Sequence, residues 1–160
     1  MSSWVSTGAR HAAVFQGGAT TDLGSLFGPS GSSEATGIND SGQVAGWTTA
    51  ANGTGEHAFL DSGGVMTDLG AYNIDTVAYA LNDHGVIVGQ TYGTDAAGDP
   101  FDHAFIYRNG TFQDLNTLIP AGSGRELTDA TAVNDNGQIL VDAVNTANGD
   151  SHAFLLTPVG

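Results

Sequence analysis

Seventeen acidic side chains, set against three arginines and no lysine, carry the ligand-binding chemistry of this 160-residue chain. Fourteen of them are Asp, and the glutamates are Glu34, Glu56 and Glu126. Hard carboxylate oxygens without thiolates suit Ca²⁺, which takes about six to eight such ligands, and the chain has no Cys. Among the acids that break the repeat, Glu34 and Asp129 each immediately precede an Ala of strand A, and Asp75 lies three residues before the corresponding Ala78. They form the first candidate metal set. Asp95, Asp99 and Asp102 form a second, with Asn145, Asn148 and Asp150 as its weaker counterpart. Neither set has EF-hand spacing, so composition carries the signal rather than a motif. Arg125 beside Glu126 supplies the one cation in their neighbourhood. In the catalytic reading Glu126 is a general base and Arg125 orients a substrate oxygen. A Ca²⁺ held by such acids polarises a carbonyl while the base activates water. These residues therefore point to a calcium-dependent hydrolase of small esters or lactones, with acyl-homoserine lactones as one substrate type.

Composition removes other classes. A formal charge of −14 repels phosphate backbones and anionic lipid, so neither nucleic acid nor a membrane surface is expected as a partner. Without Cys there is no disulfide framework, thiol nucleophile or thiolate zinc site. No Gly-x-Ser-x-Gly elbow, His-Glu-x-x-His helix, P-loop or dinucleotide fingerprint occurs. Met1-Ser2-Ser3-Trp4 has neither the charged start nor the apolar run of a signal peptide.

The elements that must position the acids are repeated. His-Ala-x opens at His11, His57, His103 and His152, spaced by 46, 46 and 49 residues. Asp-Leu-Gly or Asp-Leu-Asn follows at Asp22, Asp68 and Asp114. Between these blocks lie Gly37-Ile38-Asn39-Asp40-Ser41-Gly42-Gln43-Val44, Ala80-Leu81-Asn82-Asp83-His84-Gly85-Val86-Ile87 and Ala132-Val133-Asn134-Asp135-Asn136-Gly137-Gln138-Ile139. Short apolar runs broken by Asn-Asp-x-Gly and Gly-Gly turns predict strands, not helices. Each unit reads as four strands, A to D, and four strands in 40–50 residues is the size of a propeller blade.

Taken in order, these blocks resemble the HAF-repeat family of probable extracellular repeat proteins. The resemblance runs from about Trp4 to Leu156 and implies a propeller-like, exported protein, extracellular or periplasmic, without implying an activity. The third unit departs from the pattern, with Val141-Asp142 ending strand B and no Asp-Leu-Gly after His152.

Trp4 to Arg10 resembles Trp47 to Glu56, so the chain begins at a strand B and holds about fourteen strands in one repeat domain, residues 1–160. Three and a half blades leave open edges. The expectation is an all-β propeller closed by homodimerisation, with a monomeric β-trefoil as the alternative. Tight A–B and C–D turns would share one face. The opposite face would carry the D–A crossovers (25–34, 71–76, 117–129) and B–C loops (48–56, 91–102, 144–151). Function is expected there, on variable loops over a rigid scaffold. Trp4, Trp47, Tyr72 and Tyr92 could line it. The four His, Asp22, Asp68 and Asp114, and the Asn-Asp pairs read as structural hydrogen bonders, and His84 as a residue on the opposite, tight-turn face. Gly, Ser, Thr and Asn in the loops equally suit a non-catalytic exported module that binds glycan or protein.

Overall fold

The computed structural model describes residues 8–50, 52–70 and 75–158. They form thirteen β-strands, one short 3-10 turn (Leu115–Thr117) and no α-helix. The chain is all-β. Strands β1 (Ala12–Gln16) and β2 (Ala19–Gly24) pair as a two-stranded sheet. β3 (Ser32–Ile38), β4 (Val44–Thr49), β5 (Glu56–Ser62) and β6 (Val65–Asp68) form the second sheet. β7 (Asp75–Leu81), β8 (Ile87–Thr94), β9 (Pro100–Arg108) and β10 (Thr111–Asp114) form the third. The fourth holds β11 (Arg125–Val133), β12 (Ile139–Asn145) and β13 (Ser151–Leu156). All pairs are antiparallel and strand order follows sequence order in every sheet. The strand expected around Trp4 falls largely on residues 1–7, outside the described residues, as does Tyr72.

The sheets stack by a repeated apolar contact. Ala45 and Ala58 of the second sheet meet Ala78, Ile87 and Phe105 of the third. Val88, Ala104 and Ile106 of the third meet Leu127, Ala130, Ile139, Val141 and Ala143 of the fourth. Ala12 of the first meets Val44 and Phe59 of the second. Small residues on the covered side let neighbouring sheets approach, and one Phe per four-stranded sheet fills the space, both Phe59 and Phe105 being fully buried.

That Phe dictates a glycine. A Cβ on Gly46 would collide with the Glu34 carbonyl and lie 2.9 Å from the Phe59 ring. A Cβ on Gly89 would collide with the Val77 carbonyl and lie 2.9 Å from the Phe105 ring. In the same region each first strand is irregular, with register shifts between Ala35 and Gly37, Ala78 and Ala80, and Ala130 and Ala132. A bulge re-aims the extra residue. Thr36, the first of these, donates its hydroxyl to the Ala78 carbonyl of the next sheet at 2.8 Å.

Turns join the sheets on a second front. Each Asn-Asp-x-Gly tip closes on itself, as where Asn39 Oδ1 accepts Gln43 N at 3.0 Å and Gly42 takes φ 73°. The tips also form a ladder from sheet to sheet. Asp40 N donates to Asp83 Oδ1 at 2.8 Å, and Asp83 N to Asp135 Oδ1 at 3.0 Å. Asn39 Nδ2 reaches the Asn82 carbonyl at 3.1 Å, and Asn82 Nδ2 the Asn134 carbonyl at 2.9 Å.

Strands run further into the long-loop face than the sequence suggests. The 91–102 connection shrinks to Asp95–Asp99, because Thr91, Tyr92, Gly93 and Thr94 continue β8 opposite His103, Asp102, Phe101 and Pro100. Arg125 and Glu126, read as crossover residues, belong to β11 and pair with Asn145 and Val144. Most polar residues in these ladders stand at half-covered strand ends, whereas Thr91 is buried and its hydroxyl has no hydrogen-bond partner among the described residues.

Gly89→Ala should destabilise the fold by about 1–3 kcal/mol or more, the cost of overpacking a filled core. A urea midpoint unchanged from the parent protein would contradict the close approach of strand backbone and Phe105.

Candidate functional site

Three His–Asp pairs recur, the partners eleven positions apart in each. Nδ1 of His11 lies 3.0 Å from Asp22, that of His57 2.9 Å from Asp68, and that of His103 2.7 Å from Asp114. A His held by Asp is also a general-base arrangement, so the use made of the remaining atoms decides its role. In every pair the Asp also ties off its own strand end. Asp22 Oδ1 accepts Gly24 N at 2.8 Å, Asp68 Oδ1 accepts Gly70 N at 2.7 Å, and Asp114 Oδ1 accepts Asn116 N at 2.7 Å. Burial alone would raise the Asp22 carboxyl, but the Gly24 N–H and His11 outweigh it and hold the group below its ordinary range. His11 Nε2 faces the Gly31 carbonyl at 3.0 Å, and His103 Nε2 lies 3.5 Å from Glu126 Oε1. Two of the three rings thus bridge from one unit to the next.

A second set of staples backs the first. Ala12 N donates to Ser33 Oγ and Ala58 N to Thr76 Oγ1, each at 2.9 Å. In the third unit Asn116 takes over, accepting from Leu127 N at 2.8 Å and donating to the Leu127 carbonyl at 2.9 Å. His152, with no strand D after it, has no Asp in the described residues and sets its ring edge-on near Phe154.

The non-repeating acids spread along the long-loop face. Glu34 stands opposite Trp47 across β3 and β4 and pairs with Arg10 at 3.8 Å. Asp75 accepts Glu56 N at 2.7 Å, and Asp129 stands opposite Asp142. Asp95 closes its own loop, accepting from Ala97 N at 2.8 Å and Asp99 N at 3.0 Å. Asp102 is the strand partner of Tyr92. Asn145 caps Ala147 N, and Asn148 donates to Asp150. Arg125 lays its guanidinium over the Phe154 ring, 4.3 Å from the centroid, while Glu126 turns toward His103. Arg125 and Glu126 are therefore directed to different neighbours. Among the described residues no three His, Asp or Glu lie close enough together to hold one ion. His84 is exposed in its turn, 4.0 Å from Asp135.

Two clusters on this face have ligand-like chemistry. Tyr92 donates its hydroxyl to Glu56, and Tyr79 donates to Gln90 at 2.9 Å. Burial first, then the negative field of Asp129, Glu56 and Asp102, raises the Tyr79 hydroxyl; burial and Glu56 raise Tyr92 further. The other cluster is a shallow open groove lined by Arg10, Ser32, Ser33, Glu34 and Trp47. It combines one half-buried indole with a cation, an anion and hydroxyls. No family model, curated protein or solved structure matches the chain.

Sequence reasoning missed three members of these clusters. Arg10 and Glu56 occupy the same place, the residue before the repeated His, as does Asp102. Variation at a fixed repeat position was the available signal. Tyr79 sits at the β7 bulge, and a bulge leaves no mark in a repeat pattern.

Two outcomes follow for the staples. Asp68→Ala should cost about 1–2 kcal/mol through the loss of two hydrogen bonds, read from urea unfolding. Asp22 contributes stability above the unfolded carboxylate value, about pH 4, that is lost as pH falls through its lowered native value. Asp22→Asn should therefore flatten the acid limb of stability below about pH 4. Parallel acid limbs in the two proteins would contradict the staple.

Proposed function

We propose that this chain is a non-catalytic exported repeat module with propeller-type blades, and that its long-loop face binds a glycan in the groove between Trp47 and the Arg10–Glu34 pair. The observation that carries this reading is the groove's composition. An indole offers a sugar ring a flat apolar face, while a carboxylate, a guanidinium and the Ser32 hydroxyl offer hydrogen bonds to its hydroxyls. Glu34 and Trp47 are direct cross-strand neighbours on two adjoining strands, so the sheet itself sets their spacing. The His–Asp pairs favour a non-catalytic role, because their carboxylates are engaged in tying strand ends. The sequential antiparallel sheets, each covering the last, support propeller-type blades, and the resemblance to HAF-repeat proteins supports an exported location.

A second reading keeps the hydrolase. Asp129, Glu56 and Asp102, from three sheets, each act electrostatically on Tyr79, and Asp75 joins Glu56 through a main-chain hydrogen bond. A Ca²⁺ recruited there would supply Lewis acidity for ester or lactone cleavage.

One pair of measurements separates the readings. On a glycan array the parent protein should retain a defined set of glycans. Trp47→Ala should weaken that binding about tenfold, the worth of one stacked aromatic contact of about 1.4 kcal/mol. Lactone turnover that is abolished by exhaustive EDTA dialysis and restored by Ca²⁺, with no glycan retained, would overturn the binding module in favour of the hydrolase.

A further inference from the structure

The internal repeat supplies a control for every exposed residue, because the same position can be inspected in a neighbouring sheet. On the third sheet Val88 is fully buried and Ile106 is 5% exposed, both covered by the fourth sheet. Their counterparts on the fourth sheet are Leu140 and Leu155, by alignment of Val86-Ile87-Val88 with Gln138-Ile139-Leu140 and of His103-Ala104-Phe105-Ile106 with His152-Ala153-Phe154-Leu155. Leu140 is 43% and Leu155 60% exposed, and the two stand directly opposite each other on β12 and β13. Ala153, between them in the pattern, is exposed, whereas Ala58 and Ala104 are fully buried. The fourth sheet thus presents the same apolar face that is covered in the sheets before it.

The opposite end of the stack carries the matching half. In the third sheet Tyr107 packs against the cluster in which Ile87 and Phe105 of its own sheet meet Ala45 and Ala58 of the sheet before it. Its counterpart on the first sheet is Phe15, by alignment of His11-Ala12-Ala13-Val14-Phe15 with His103-Ala104-Phe105-Ile106-Tyr107. Phe15 is 74% exposed. One end therefore shows the small and aliphatic side of the repeated contact, and the other shows an exposed aromatic, Phe15, two residues beyond the Ala13 that stands where the later sheets have Phe59 and Phe105.

We infer that a second copy of this chain docks head to tail, its β1–β2 sheet seating Phe15 on the face formed by Leu140, Ala153 and Leu155. The contact is analogous to the packing that joins the sheets within one chain, with Phe15 supplying the aromatic that Phe59 and Phe105 supply there. It is heterologous, so it closes into a ring only if the rotation per chain permits, and otherwise propagates. The apolar area must also overcome repulsion between chains of −14 formal charge each. The inference does not depend on the glycan reading, since the groove lies on the second sheet's loop side.

Sedimentation velocity of the full chain at micromolar concentration tests it, with Phe15→Asp, Leu155→Asp and, as a milder substitution on the same face, Leu140→Ser. Circular dichroism verifies that each variant is folded. The parent should associate reversibly, and each variant should weaken association at least about tenfold, one apolar side chain at an interface being worth about 1.4 kcal/mol or more. Phe15→Asp keeps the aliphatic face and Leu155→Asp keeps the aromatic end, so an equimolar mixture of these two should recover a heterodimer through one intact junction. A monomeric parent would overturn the inference, as would a variant at either end that associates like the parent. A mixture that stays monomeric when both single variants are folded would overturn the head-to-tail arrangement.

Discussion

Close approach between consecutive sheets is the constraint on which the rest of this molecule depends. Ala45, Ala58, Ala78, Ala104 and Ala130 are all fully buried at the junctions, where larger side chains would hold the layers apart. Phe59 and Phe105 then occupy the remaining volume, and each requires a Gly on the strand beside it. Interiors are packed as tightly as organic crystals, so this choice of one large residue against several small ones leaves little freedom. The bulge in every first strand belongs to the same solution. It lets Thr36 reach across to the next sheet and places Tyr79 near the loop-face acids.

Two hydrogen-bonded fronts flank that apolar layer. On the tight-turn side the Asn-Asp ladder links Asp40, Asp83 and Asp135. On the other side the His–Asp staples and the Ser33, Thr76 and Asn116 bonds fix each strand C to its own strand D and to the following unit. Asp22, Asp68, Asp83, Asp114 and Asp135 thus each accept a main-chain N–H. At Asp22, against the upward push of burial, the Gly24 N–H and His11 together hold the carboxyl below its ordinary range.

Strand type, turn chemistry and repeat boundaries were legible in the sequence, because Asn-Asp-x-Gly and His-Ala-Phe recur with little change. The structural role of His11, His57 and His103 was legible from the same regularity. Their partners were also within reach, since His and Asp keep one spacing in all three units. What could not be read was contact between units. Periodicity assigns residues to strands but is silent on which side chains meet across sheets, so it proposed a common mouth for Glu34, Asp75 and Asp129. In the structure Glu34 turns to Arg10 and Asp75 to the Glu56 N–H. Loop lengths were overestimated for a related reason. Polar residues such as Thr94 and Asp102 look like loop residues, yet at an exposed strand end they pair without penalty.

The central claim is that repeated His and Asp serve the scaffold while the non-repeating Arg10, Glu34 and Trp47 serve a ligand. Two-dimensional NMR of the full chain, titrated separately with a panel of neutral oligosaccharides and with Ca²⁺, tests it most directly. The account predicts saturable shifts at the Trp47 indole and at Arg10, Ser32 and Glu34 with an oligosaccharide, and unmoved signals from His57, Asp68, His103 and Asp114. Silence with every oligosaccharide, together with saturable Ca²⁺ shifts at Asp75, Asp102 and Asp129, would contradict it.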